Sequence, residues 1–121
     1  MTINKVLLVD DSPADLAHIR TIVSGAGYSV VTATSGKEAV ELARAERPDL
    51  IFMDIVMEGA DGYEACRQIT KSGETRNIPV VFVSSKNQKA DRVWAELQGG
   101  KALISKPFTP DQILDQIRAL N

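Results

Sequence analysis

Two unbroken apolar runs frame the chain. Leu50-Ile51-Phe52-Met53 is four apolar residues in a row and ends in Asp54, while Val6-Leu7-Leu8-Val9 ends in Asp10 and Asp11. A short apolar run without polar alternation suits a strand covered on both faces, as in a parallel sheet. Three further strand signals complete the set. Tyr28 to Thr32 is the second strand, Pro79 opens a run through Val80-Val81-Phe82-Val83 to Ser84 and Ser85, and Ala102-Leu103-Ile104 is the short fifth.

Helical spacing fills the gaps between these runs. Ser12-Pro13 reads as the cap and first residue of a helix, with Leu16, Ile19, Val23 and Ala26 recurring and Gly25 and Gly27 available to end it. Ser35-Gly36-Lys37-Glu38 has capping-box spacing and leads a helix through Val40 and Ala43; Pro48 lies beyond it. Ile55 to Asp61 is a loop. Asp61-Gly62-Tyr63-Glu64 starts the next helix, marked by Tyr63, Cys66 and Ile69, and a polar, turn-rich stretch from Ser72 to Asn77 follows it. Val93, Trp94 and Leu97 mark a fourth helix, broken by Gly99-Gly100. Thr109-Pro110-Asp111-Gln112 caps the fifth, whose apolar face is Ile113, Leu114, Ile117 and Leu120. Five strands alternating with five helices predict right-handed βαβ crossovers and an α/β fold, a doubly wound parallel sheet. No internal repeat, low-complexity tract or linker interrupts it. The chain stops with the fifth helix, so one domain spanning residues 1–121 is expected, with no attached output domain.

Composition narrows the setting. With 121 residues, 44% hydrophobic and 25% charged, the chain has the makeup of a soluble globular domain. A chain this long buries roughly two thirds of its unfolded surface. A net charge of −2 argues against nucleic acid or an anionic membrane as the main partner. The single cysteine, Cys66, excludes an internal disulfide and fits a reducing cytoplasm. No signal-like segment and no run near the ~20 residues of a membrane span is seen, so a cytoplasmic protein is expected.

The strand ends carry the chemistry. Asp10 and Asp11 follow the first strand, Asp54 the third, Ser84 the fourth and Lys106 the fifth. In a parallel sheet these ends share one edge, where open α/β sheets bind ligands. If strands one and three are neighbours, three carboxylates crowd one crevice. Their repulsion calls for a hard divalent cation, and Mg²⁺ prefers oxygen ligands. An acid cluster, a metal, an ammonium and a hydroxyl suit phosphoryl chemistry, with one carboxylate attacking phosphorus. The plainer readings are capping for Asp10 and Asp11, a solvated loop for Asp54 and backbone bonding for Ser84. Ser12 already fills the cap position, however, with Asp15 three residues on, so two more acids are surplus to capping, and Ile55-Val56-Met57 is no solvated turn. The joint placement carries the signal; no single residue does.

Val9-Asp10-Asp11-Ser12, Met53-Asp54, Asp61-Gly62, Ser84 and Lys106-Pro107-Phe108 together resemble the receiver domain of bacterial response regulators, over the whole chain. The resemblance implies a CheY-like, flavodoxin-like strand order of 2-1-3-4-5. It implies that Asp54 accepts a phosphoryl group from a phosphohistidine on a sensor histidine kinase. Asp10 and Asp11 would hold Mg²⁺ with Asp54 and the backbone carbonyl of Val56. Lys106 would contact the phosphoryl group and Ser84 would hydrogen-bond it. The Lys106–Pro107 peptide is usually cis in this family, which would aim the lysine inward. Lys86-Asn87-Gln88 with Asp91, Val93-Trp94, Gln98 and Gly99 is similar to single-domain regulators of twitching motility of the PilG and PilH type.

Two positions depart from the family pattern. Glu58 stands where a proline is usual, adding charge near the metal. Leu103 replaces a Tyr or Phe whose flip would couple Ser84 to the surface of the fourth helix, fifth strand and fifth helix. The implied function is a stand-alone, Mg²⁺-dependent phosphoacceptor that binds a protein partner in trans, in chemotaxis or twitching motility. It would be a monomer or weak dimer, with self-catalysed transfer and slow autodephosphorylation. Two alternatives remain open: a phosphate drain for a shared kinase, and a degenerate receiver that never takes phosphate. A haloacid-dehalogenase-type phosphatase would need a second acid where Val56 stands, and a flavodoxin-like carrier a phosphate loop in place of Asp10-Asp11-Ser12-Pro13. A transcription factor would need a helix-turn-helix module, for which no residues remain. His18 reads as an ordinary helix residue rather than a phosphate carrier, Cys66 as a small apolar residue and Trp94 as a partly buried anchor. Lys86, Lys89, Arg92 and Lys101 put positive charge around the fourth helix, a solvated face that could also receive an acidic partner.

Overall fold

A computed structural model describes residues 2–57 and 61–121. Five parallel strands, β1 (Lys5–Val9), β2 (Ser29–Ala33), β3 (Leu50–Met53), β4 (Val80–Ser84) and β5 (Ala102–Ser105), lie in the order β2-β1-β3-β4-β5. Five helices alternate with them: α1 (Pro13–Gly25), α2 (Gly36–Glu46), α3 (Gly62–Lys71), α4 (Lys89–Leu97) and α5 (Pro110–Leu120). The unbroken apolar runs are the three central strands. Successive side chains point to opposite faces, so each run feeds two cores at once. Leu7, Val9, Ile51, Met53 and Phe82 pack beneath α2, α3 and α4. Val6, Leu8, Leu50, Phe52 and Val81 pack against Ile19 and Val23 of α1 and Ile113 and Ile117 of α5.

The caps fall where the sequence puts them. The side chains of Ser12, Ser35, Asp61 and Thr109 each accept the backbone N–H three residues on. Pro13 and Pro110 occupy first-turn positions, where a missing N–H costs nothing. In α2 the box is shifted: Glu38 accepts from the Thr34 N–H at 2.7 Å, one residue before the cap. The second strand begins at Ser29 rather than Tyr28, because the Ser29 N–H bonds the Asn4 carbonyl and sets the register Lys5↔Ser29. Ala26 caps α1 instead of extending its apolar face. The larger difference is in α4. Val93, Trp94 and Leu97 are 53%, 51% and 69% exposed, and the buried α4 residue is Ala95. A small side chain brings α4 close to the sheet, and the large ones turn outward.

Register sets the functional edge. Val9 pairs with Met53, so Asp10 and Asp54 emerge side by side; the Asp54 N–H bonds the Val9 carbonyl at 3.0 Å. Ser84 pairs with Ser105, and the Lys106 N–H bonds the Ser84 carbonyl at 3.0 Å. The Lys106–Pro107 peptide is cis, as the resemblance implies. Glu58 lies outside the described residues.

Candidate functional site

Lys106 is the hub of the pocket. Its Nζ donates to Asp10 Oδ2 at 2.8 Å, Asp15 Oδ2 at 2.8 Å and Asp54 Oδ2 at 3.0 Å. Lys106 thus lies 96 and 91 residues from two of the acids that share its ammonium, Asp10 and Asp15. Asp10 and Asp54 are buried at 5% and 7% exposure, so their charges need compensation from within the protein. The other oxygens are also held: Asp10 Oδ1 accepts the Ser12 N–H at 2.9 Å, and Asp54 Oδ1 accepts the Ile55 N–H at 2.7 Å. Ser84 is fully buried, and its Oγ accepts the Lys86 N–H at 3.2 Å, tying it to the loop that leads into α4. Val56, by contrast, is 56% exposed on the loop after β3.

One ammonium faces more carboxylates than it can neutralise. Burial works against the charge on Lys106, but its hydrogen bonds to Asp10, Asp15 and Asp54 outweigh that and hold the ammonium above its usual pKa range. Burial raises the Asp10 carboxyl, and the bonds from Lys106 and Ser12 offset this only in part. One oxygen each from Asp10, Asp11 and Asp54 can be chosen so that all lie within 4.8 Å of one another. Octahedral Mg²⁺ at about 2.1 Å from each ligand sets adjacent oxygens about 3.0 Å apart and opposed ones about 4.2 Å apart, so these acids would draw inward to hold the ion. Hard oxygen donors in excess of local positive charge are its preferred setting.

The electrostatic imbalance makes a prediction. A carboxyl with a raised folded pKa stabilises the fold fully only below its unfolded pKa of about 3.9, and that contribution is lost as pH rises through the folded value. Asp10→Asn removes the ionisation. In chelator at neutral pH the variant is expected to be more stable than the parent by about 1 kcal/mol, a few degrees in Tm. The gap should close toward about pH 3, where Asp10 is protonated in either state. Thermal unfolding across that range checks it.

The structure brings together Asp10, Asp11, Asp54 and Lys106 from the sequence-derived set and places Ser84 on the neighbouring strand. Asp15, which looked like a capping acid, joins them. Its signal was its position at the third residue of a helix that starts at the acid pair, since helical side chains lean toward the N-terminus. His18 is exposed and stacks on Phe108, with ring centroids 4.9 Å apart. Cys66 is buried, donates to the Gln98 carbonyl at 3.2 Å, and burial pushes its thiol up to about 12. Trp94 meets Tyr63 edge-on. Leu103 is buried, and its carbonyl accepts Arg92 Nη1 of α4 at 2.9 Å, so a guanidinium joins α4 to β5.

Comparison with known proteins agrees with this geometry. Residues 6–118 match the family described as the response regulator receiver domain. The chain is 40% identical to protein PilH of Pseudomonas aeruginosa, over 96% of each chain. It is 36% identical to the probable transcriptional regulator ycf27 of Guillardia theta, of which it spans 46%. Its fold superposes on the chemotaxis protein CheY4 of Vibrio cholerae with a TM-score of 0.92, at 26% identity over 99% of this chain and 100% of that one. It superposes on the receiver domain of the Pseudomonas aeruginosa sensor histidine kinase PA1611, solved with magnesium in the active site cleft, with a TM-score of 0.90, at 27% identity over 98% of each chain.

Proposed function

The chain belongs to the response regulator receiver domain family, and on that premise we propose that it is a stand-alone receiver phosphorylated on Asp54. The observation that carries this is the shared Lys106 ammonium, which gathers Asp10, Asp15 and Asp54 at one sheet edge. Asp54 attacks phosphorus of a phosphohistidine on a sensor histidine kinase. An Asp54 oxygen–phosphorus bond forms, the phosphorus–nitrogen bond breaks, and the imidazole keeps the electron pair. Asp10, Asp11, Asp54 and the Val56 carbonyl would hold Mg²⁺, which supplies charge neutralisation at the phosphoryl oxygens. Lys106 donates to the phosphoryl group, and Ser84 exchanges the rotamer in which its Oγ accepts the Lys86 N–H for one in which its O–H donates to a phosphoryl oxygen.

That exchange supplies a route to output. Ser84 is bonded to the β4–α4 loop, so a new arrangement at Ser84 biases α4. The exposed Val93, Trp94 and Leu97 on α4 support a protein partner met in trans at the α4–β5–α5 face. A shift of one or two kcal/mol changes partner affinity about five- to thirtyfold. Likeness to PilH along its whole length, and to CheY4, favours a role in twitching motility or chemotaxis, in the cytoplasm.

Leu103 favours a second reading. Without an aromatic switch the chain could drain phosphate from a shared kinase, or bind its partner irrespective of phosphate. Incubation with acetyl phosphate, with Mg²⁺ or with chelator, read by intact mass, tests the proposal. One phosphoryl adduct that requires Mg²⁺ is expected; no adduct under any donor would leave only the degenerate receiver. If the adduct forms, an Asp54→Asn strain that keeps full output while a deletion loses it would rule out phosphate-driven signalling.

A further inference from the structure

Asp15 has no chemical step in the scheme above. Its carboxylate nonetheless takes one of the three N–H bonds that Lys106 can donate. The other two go to Asp10 and Asp54, which belong to the acid cluster with Asp11; Asp15 does not. A cation held by that cluster draws on the same Asp10 and Asp54 carboxylates and repels the ammonium beside them. Among the described residues, Asp15 is then the carboxylate partner left to Lys106. We infer that Asp15 is a positioning residue, anchoring the Lys106 ammonium at the pocket when Asp10 and Asp54 are engaged by metal and phosphoryl group. The inference rests on the phosphoacceptor reading for its effect on rate.

Local geometry suits this role. Asp15 sits at the third position of α1, and its own N–H is capped by Ser12 Oγ at 3.3 Å. In a capping box the Asp15 carboxylate would reach back to the Ser12 N–H. Here Asp10 Oδ1 takes that N–H at 2.9 Å, which leaves Asp15 to turn toward the pocket. Its side chain is 45% exposed, against 16% for Lys106. Ion pairs this wet add little stability, so orientation is the effect to look for. A helix-dipole role in the first turn would instead change unfolding and leave Lys106 untouched.

Two measurements separate these. With acetyl phosphate at saturating Mg²⁺, Asp15→Asn is expected to take up the phosphoryl group about tenfold more slowly, the usual scale for a residue that orients a contacting group. Asp15→Glu, which keeps the charge, should recover most of the rate. In a Lys106→Met background Asp15→Asn should cost nothing further. Nitrogen-15 spectra of the lysine ammonium groups, taken with Mg²⁺ alone, give the second readout. An ordered Lys106 signal is expected in the parent and lost in Asp15→Asn. Parent-like uptake with an unchanged ammonium signal overturns the inference, as does an equal loss in the Lys106→Met background. Loss of the ammonium signal in a protein that takes no phosphoryl group supports the anchoring and counts against the phosphoacceptor reading alone.

Discussion

Asp54→Asn is expected to lower phosphoryl uptake at least about a hundredfold while leaving the fold intact, because a neutral amide oxygen is a poor nucleophile. Asp10, Asp11, Asp15 and Asp54 crowd the pocket, and position singles out Asp54. Asp54 follows β3, the central strand of the order β2-β1-β3-β4-β5. On one side, after β1, stand Asp10 and Asp11; on the other stand Ser84, the last residue of β4, and Lys106, after β5. A phosphoryl group on Asp54 meets the cation-binding acids and the two donors together, whereas one on Asp10 would lie a strand further from Ser84. The substitution is nearly isosteric. The side-chain carbonyl can keep the Ile55 N–H bond of 2.7 Å, and one negative charge leaves a pocket that has too many. Intact mass after acetyl phosphate treatment, beside unfolding curves for both proteins, checks the two halves of this expectation.

Gly62→Ala is expected to cost about 3 kcal/mol and to slow phosphorylation as well, through a steric mechanism. Gly62 opens α3, and its N–H bonds the Ile55 carbonyl at 2.8 Å. A Cβ built there would overlap the Asp54 carbonyl oxygen and come within 3.0 Å of Ile55 Cα. Those atoms are backbone, so no rotamer change relieves the clash. Either α3 lifts from the sheet, or the Asp54 peptide moves and carries the acceptor with it. Urea unfolding should show a lower midpoint at unchanged slope, and uptake per folded molecule should fall. A variant as stable and as fast as the parent would mean that the close approach at Gly62 is unimportant.

Asp10, Asp11 and Asp54 were legible because an apolar run buried on both faces can end only where the strand leaves the core. A carboxylate at that point stands on the ligand-binding edge. Strand order was not legible from pattern, since it depends on which runs pair; it came from resemblance, and the Val6↔Leu50 register agrees. Asp61-Gly62 was visible as a motif, but its cause, the closeness of α3 to the Asp54 backbone, is purely tertiary. Asp15 escaped because a first-turn acid has a sufficient local explanation in capping. The fourth helix was legible from Val93, Trp94 and Leu97, but which of its residues meets the sheet was not, since nothing local shows that Ala95 is the contact. Arg92, whose Nη2 also reaches Ser105 Oγ at 3.3 Å, was equally hidden: an arginine on a polar helix shows no sign that it bonds a neighbouring strand.

The most direct test is to locate the phosphoryl group chemically. Tritiated borohydride reduces an acyl phosphate to the alcohol and leaves the label at the carbon that carried it. After acetyl phosphate and Mg²⁺ treatment, reduction and trypsin digestion, label is expected in the peptide spanning residues 45–67, at Asp54. Label in the peptide spanning residues 6–20, which holds Asp10, Asp11 and Asp15, or no label in a protein shown to carry phosphate, would contradict an Asp54 acceptor.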